Sequence, residues 1–256
     1  MSRNILAVYQ DRQVSHAVET MAANDIGSVV VLDGSGPCGV FTERDLLAKV
    51  IAVDRDPRAT PVMEVLSETF PAIDIGATAE EAAAAMIRRK NRLMVFEGTN
   101  LVGIITPTDI VRVISDLSVT FDISDVVSKG IVSVDPDTRI DASVRKMWQR
   151  RVGSVIVGGE GRPSGIFTER DLLKRVLVPM ARLDRQVAEF ASTPLITADY
   201  GARAREIARM MVTNRIKRMP LYKDNAMVAI VTARDLVEAY AFFGGKWNPR
   251  QQILNR

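Results

Sequence analysis

GVFTERDLL, residues Gly39–Leu47, recurs as GIFTERDLL at Gly165–Leu173 with a single Val/Ile exchange. A buried core would demand the apolar letters of this phrase but not its Glu, Arg and Asp, so a copy that keeps them points to a use for those charges. At the same offset of 126 residues, Ile5 matches Ile131, Val8 matches Val134 and Met21 matches Met147. GSVVV from Gly27 matches GSVIV from Gly153, and Pro37 matches Pro163. The chain is an internal duplication, and repeats of this kind decide an architecture before any local pattern does.

Each half holds a second, more diverged copy. GIITPTDI (Gly103–Ile110) and AIVTARDL (Ala229–Leu236) align with the opening phrase, and Thr42, Thr106, Thr168 and Thr232 are spaced 64, 62 and 64 residues apart. In the third copy, GIVSVDPDT reads as a short strand and turn, and Ile140–Arg151 as a helix with Ile140, Val144 and Met147 on one face. GSVIVGGEGRPSGIFT reads as a hairpin, and TERDLLKRVLV opens a second helix. The expected fold is therefore α/β, four tandem β-α-β-β-α units whose helices bury one face against a sheet. AEEAAAAMIRRK and AREIARMMVTNRIK supply the first helices of the second and fourth units.

The Thr of each phrase follows a strand and precedes a helix, the place of an N-cap, with Asp three residues on. A capping box favours Glu or Gln at that position, yet all four copies carry Asp: Asp45, Asp109, Asp171 and Asp235. A short carboxylate beside a hairpin mouth suits two hydrogen bonds from a vicinal diol such as that of ribose. Arg44, Arg170 and Arg234 precede three of these aspartates in the first helical turn, where free N–H groups and the helix dipole favour an anion. The second unit has Thr108 there. Gly27-Ser28 and Gly153-Ser154 lead into the hairpin, as helix stops or as bare backbone that a flat base can approach. The diverged units read NRLMV and KRMPL at that place, which makes Arg92 and Arg218 either phosphate contacts or covers for a helix end, with Pro220 on the same strand.

Composition sets the outer limits. The chain has 256 residues, 47% apolar and 25% charged, with a net charge of +3, which is ordinary globular usage. Its apolar runs are far short of the roughly 20 residues a spanning helix needs. The start MSRNILAVYQ lacks a secretory h-region, so a cytoplasmic location without membrane contact is expected. Cys38 is the single cysteine and His16 the single histidine, so a disulfide, a metal cluster or a histidine-based catalytic constellation is not expected. The basic pI near 9.1 keeps nucleic acid open as a competing partner, through clusters such as MIRRK and WQRRV.

These phrases resemble the CBS-domain proteins, whose domains pair into Bateman modules. The resemblance rests on G-h-h-T-x-x-D at Gly39–Asp45, Gly103–Asp109 and Gly165–Asp171, on Ala229–Asp235 with Ala replacing Gly, and on R-M-P-L at Arg218–Leu221. It implies two modules of adjacent repeats packed sheet to sheet, residues 1–120 (repeats about 1–58 and 59–120) and 121–245 (repeats about 121–184 and 185–245), followed by a tail at 246–256. It also implies a regulatory adenine nucleotide, AMP, ADP or ATP, with S-adenosylmethionine as an alternative in the same clefts. Thr42, Asp45, Thr106, Asp109, Thr168, Asp171, Thr232 and Asp235 become ribose contacts, and Arg44, Arg170 and Arg234 phosphate contacts. Departures from the pattern sit at Thr108 and Ala229. Such a chain is expected to be a sensor without catalytic domain or catalytic cofactor, a homodimer that acts on an effector protein still to be identified.

Overall fold

The computed structural model describes Met1 and residues 5–67, 71–89, 92–117, 121–127, 130–158 and 163–243. The C-terminal tail from residue 244, with Trp247, lies outside the described residues, as do Lys90 and the side chain of Phe243.

Every repeat builds a three-stranded sheet with its first strand parallel to the second and a hairpin joining the second to the third. Repeat one contributes β1 (Ala7–Tyr9), α1 (Val14–Ala23), β2 (Ser28–Asp33), β3 (Gly36–Thr42) and α2 (Glu43–Asp45), which continues as a π-helical stretch, Leu46–Val50. Repeat two contributes β4 (Ala72–Asp74), α3 (Ala79–Arg89), β5 (Leu93–Glu97), β6 (Asn100–Ile105) and α4 (Pro107–Asp116). Repeat three contributes β7 (Ser133–Val134), α5 (Ile140–Gln149), β8 (Ser154–Val157), β9 (Gly165–Thr168) and α6 (Glu169–Asp171), again continued in π form, Leu172–Leu177. Repeat four contributes β10 (Ala198–Asp199), α7 (Ala204–Asn214), β11 (Arg218–Lys223), β12 (Ala226–Thr232) and α8 (Ala233–Phe243). Ile140, Val144 and Met147 are wholly buried on one face of α5, as their spacing requires.

The chain forms two compact units that interleave in sequence: repeats one and three (Ile5–Thr69 with Ile131–Leu195), and repeats two and four (Met1–Asn4 and Phe70–Gly130 with Ile196–Arg256). The expected bounds 1–120 and 121–245 therefore do not delimit these units. The reason lies in the helices, whose apolar stripes need a partner and find it in the alternate repeat. In the unit of repeats two and four, Ala82, Ala83 and Met86 of α3 share a core with Leu236, Val237 and Tyr240 of α8, and Ile110, Val111 and Ile114 of α4 with Ile207, Ala208 and Met211 of α7. Arg205 and Arg209 of α7 donate to the carbonyls of Leu117 and Ser115 at the end of α4, both at 3.1 Å, which satisfies acceptors that a helix C-terminus leaves open. Tyr240 donates to Glu80 Oε1 at 2.7 Å, and burial together with that carboxylate raises the phenol's pKa. In the unit of repeats one and three the core runs from Val14, Val18 and Met21 through Phe41 and Leu46 to Val144, Met147, Phe167 and Leu172.

The glycines at the hairpin entry are not the helix stops that the sequence suggests. The left-handed residue that ends α1 is Asp25, that of α5 is Arg151 and that of α7 is Arg215. The following residue then donates five positions back, as in Ile26 N to Met21 O, Val152 N to Met147 O and Ile216 N to Met211 O, each at 3.0 Å. The left-handed position of the Schellman turn thus lies two residues before Gly27 or Gly153, and a short polar or long flexible side chain occupies it at modest cost.

Candidate functional site

The hairpin register places the two halves of each motif opposite one another. Ser28 faces Thr42, Ser154 faces Thr168 and Arg218 faces Thr232 as direct cross-strand partners, while Leu93 faces Ile105 one step beyond Arg92 and Thr106. Backbone bonds fasten this junction: Glu43 N donates to Gly27 O, Glu169 N to Gly153 O and Ala233 N to Lys217 O, at 3.2, 3.1 and 2.8 Å. The first helical N–H, expected to be open to an anion, is thus consumed within the fold, and in repeat two Pro107 has none to offer.

The Asp at the third helical position closes the capping box after all. Thr42, Thr106, Thr168 and Thr232 donate their backbone N–H to Oδ2 of Asp45, Asp109, Asp171 and Asp235 at 3.1, 2.9, 2.9 and 2.7 Å. The extended backbone of the cap, φ −127° and ψ 162° at Thr42, brings the chain close enough for the shorter side chain. In repeats one to three the Thr hydroxyl adds a bond to the same oxygen, at 2.6, 2.8 and 2.6 Å.

Beyond this common turn the odd and even repeats differ. Asp45 is 6% exposed, and its second oxygen takes Ser67 Oγ and Lys49 Nζ, both at 2.9 Å. Asp171 is 5% exposed and takes Ser192 Oγ at 2.8 Å and Arg175 Nε at 3.4 Å. Both carboxylates are engaged on both oxygens. Lys49 and Arg175 also donate to backbone carbonyls of the following segment, Val65 and Leu66 in one case and Phe190 and Ala191 in the other. That segment lies across the third strand, bridging Val40 to Ser67 and Ile166 to Ser192. A Cβ at Gly39 would meet Ser67 O at 2.9 Å, and one at Gly165 would meet Ser192 O at 2.9 Å, which is why the motif opens on glycine.

Repeats two and four lack this fastening among the described residues. Val113 and Ala239 stand where Lys49 and Arg175 reach back. The second oxygen of Asp109 is met by the Met1 amine at 3.2 Å and Arg112 at 3.4 Å. That of Asp235 accepts no hydrogen bond among the described residues, and burial pushes its pKa up to about 6, against the lowering effect of its bonds to Thr232. Arg234 beside it is exposed and forms no ion pair among the described residues.

Arg44 and Arg170, the expected phosphate contacts of repeats one and three, each lie beside a glutamate of the opposite repeat. Arg170 Nε lies 3.3 Å from Glu43 Oε1, and Arg44 Nη1 lies 3.6 Å from Glu169 Oε1. Reading the sequence missed Glu43, Glu169, Ser67, Ser192, Lys49 and Arg175. A signal for some of them was present, since Glu before the Arg and a basic residue four after the Asp occur in repeats one and three only.

Elsewhere, His16 is exposed on α1, and Cys38 donates weakly to Val31 O at 3.4 Å. No group of three or more His, Cys, Asp or Glu is placed to hold a metal ion among the described residues. Nor is any of their helices long and apolar enough to cross a membrane.

The CBS domain model matches residues 1–52, 62–116, 123–178 and 187–241. The chain belongs to the CBS domain family. As a four-domain CBS protein it is 27% identical to MJ1404 of Methanocaldococcus jannaschii over 94% of its own length, and spans 61% of that relative. It is 23% identical to MJ1225 of the same organism, covering 94% of this chain and 96% of the relative. Both are described as uncharacterised. The crystal structure of MJ1225, a protein proposed to be an archaeal homolog of g-AMPK, superposes with a TM-score of 0.79 at 22% identity, over 94% of this chain and 98% of that one. An uncharacterised protein of Pyrococcus horikoshii gives 0.66 at 19% identity, over 94% and 97%. These likenesses establish a shared fold.

Proposed function

We propose that this CBS-domain chain is a regulatory sensor of adenine nucleotides, AMP, ADP or ATP, that acts through contacts with an effector protein. The observation that carries the reading is the recurrence, at the mouth of each hairpin, of a Thr–Asp turn facing the entry to the second strand. In repeat four this turn has a carboxylate oxygen to spare, with Arg218 across the strand and Arg234 exposed beside it. Ribose hydroxyls donate to that oxygen, and the arginines read phosphate charge. Thr106, Asp109 and Arg92 form the corresponding set in repeat two. In repeats one and three, ribose would have to displace Ser67 and Lys49 or Ser192 and Arg175 from the carboxylate, so Thr42, Asp45, Thr168 and Asp171 serve as the weaker subsites. The description of MJ1225 as a proposed homolog of g-AMPK supports a regulatory role of the same kind. A ligand of this sort acts only by its differential affinity for two states of the chain or its complexes.

Thermal unfolding of ligand-stripped protein with AMP, ADP, ATP and S-adenosylmethionine tests the reading. A ligand at 100 times its Kd stabilises by about 2.7 kcal/mol, a rise in Tm of several degrees. The shift should appear with at least one adenine nucleotide and vanish in the Asp109→Ala, Asp235→Ala double variant. No shift with any nucleotide would leave the turns as helix caps and make nucleic acid the next ligand to test. A response confined to S-adenosylmethionine would keep the turns as the site and replace the ligand.

A further inference from the structure

The near-identity of GVFTERDLL and GIFTERDLL has a geometric counterpart within one compact unit. Glu43 and Glu169 are each 6% exposed, an unusual burial for a carboxylate without a compensating cation. The cation comes in each case from the opposite repeat: Arg170 reaches Glu43 at 3.3 Å, and Arg44 reaches Glu169 at 3.6 Å. The contact is self-complementary, the same Glu-Arg dipeptide meeting itself as in an isologous interface, with the Arg170–Glu43 half a hydrogen bond and the Arg44–Glu169 half a looser ion pair. Arg170 is held further by Asp25, through its carbonyl at 3.3 Å and its carboxylate at 3.4 Å, and Lys174 pairs with that same carboxylate. Repeats two and four carry Pro107 and Ala233 in place of the glutamate and so lack the acidic half of the device.

We propose that Glu43, Arg44, Glu169 and Arg170 form a reciprocal clamp that specifies the pairing of repeat one with repeat three, and that its arginines are pairing residues and not phosphate ligands. Symmetry explains the duplicated phrase, because each copy is the other's partner and a change in one requires a matching change in the other. It also sets the partner rule: an arginine of repeat one or three placed against repeat two or four finds Pro107 or Ala233, and its own glutamate is left buried against a repeat whose turn is built differently. The inference goes beyond the nucleotide reading and stands or falls separately from it.

The test is a double-mutant cycle on the full chain, read by Tm, with nucleotide affinity as a second readout. Arg170→Gln takes the guanidinium away from the buried Glu43 and should lower Tm by at least about 3 °C, whereas Glu43→Gln combined with Arg170→Gln removes both charges and should recover most of that loss. The other half of the clamp, Arg44→Gln with and without Glu169→Gln, keeps the test informative if Arg170→Gln alone fails to fold. In a variant with all four positions changed to Ala or Gln, the ratio of ATP to adenosine affinity should stay within about twofold of wild type. Additive effects of the single changes, with no recovery in either double variant, would overturn the clamp. Recovered Tm together with a loss of affinity that grows with phosphate number would overturn the exclusion of these arginines from the ligand. Wild-type protein that binds no nucleotide would remove the sensor reading and leave the cycle in Tm to decide the clamp.

Discussion

Replacing Asp235 with Asn should stabilise the protein at alkaline pH and lose that advantage as the pH falls. Burial raises this carboxyl from an ordinary 3.8 to about 6 in the fold, in spite of its bonds to Thr232. The folded state therefore holds its proton more tightly than the unfolded chain. Relative to the unfolded chain, the protonated group's contribution is fully present below the ordinary carboxyl pKa and is lost as pH rises through about 6. Two pKa units correspond to about 3 kcal/mol of stability given up at pH 8. Asn keeps an oxygen that accepts from Thr232 N and carries no charge to desolvate, so it should recover about 1–3 kcal/mol, or roughly 2–10 °C in Tm. Melting curves of wild type and Asp235→Asn at half-unit steps from pH 4.5 to 8 measure the difference directly. It should be largest above pH 7 and shrink steadily below pH 6. A difference that stays flat across the series would refute the argument, because it would show that this carboxyl titrates alike in both states. Saturating nucleotide adds a further arm: hydroxyls that donate to the ionised oxygen should flatten the pH dependence of the wild type alone.

Asp45→Ala and Asp171→Ala remove carboxylates that are engaged on both oxygens and leave Lys49 or Arg175 without its anion, so each should cost about 2–4 kcal/mol in denaturant melts. Asp109→Ala should cost less, since that group is more exposed; equal losses at all three positions would argue against the contrast between odd and even repeats. Gly165→Ala drives a Cβ to 2.9 Å from the backbone oxygen of Ser192 and should destabilise by about 1–3 kcal/mol, while the same change at Gly34, where nothing lies within 4 Å, should be close to neutral by the same assay.

The sequence by itself determined the repeat. An offset that preserves both apolar spacing and charged letters can be read without coordinates, and period-two and period-3.6 patterns inside each copy then assign strands and helices. It also located the Thr–Asp turns, because a cap must sit where a strand hands over to a helix. What it left undecided is what each charge faces. Asp45 and Asp235 stand in the same motif, yet one is engaged on both oxygens by Ser67, Lys49 and its own cap, while the other keeps an oxygen in reserve. Arg44 and Arg170 read in the sequence as first-turn anion contacts, and only the fold places a buried glutamate of the opposite repeat near each. Only the tertiary structure decides such matters. The partners that make the difference, Ser67 for Asp45 and Glu43 for Arg170, lie 22 and 127 residues away along the chain, and no periodicity of the local sequence records which groups desolvation will force together.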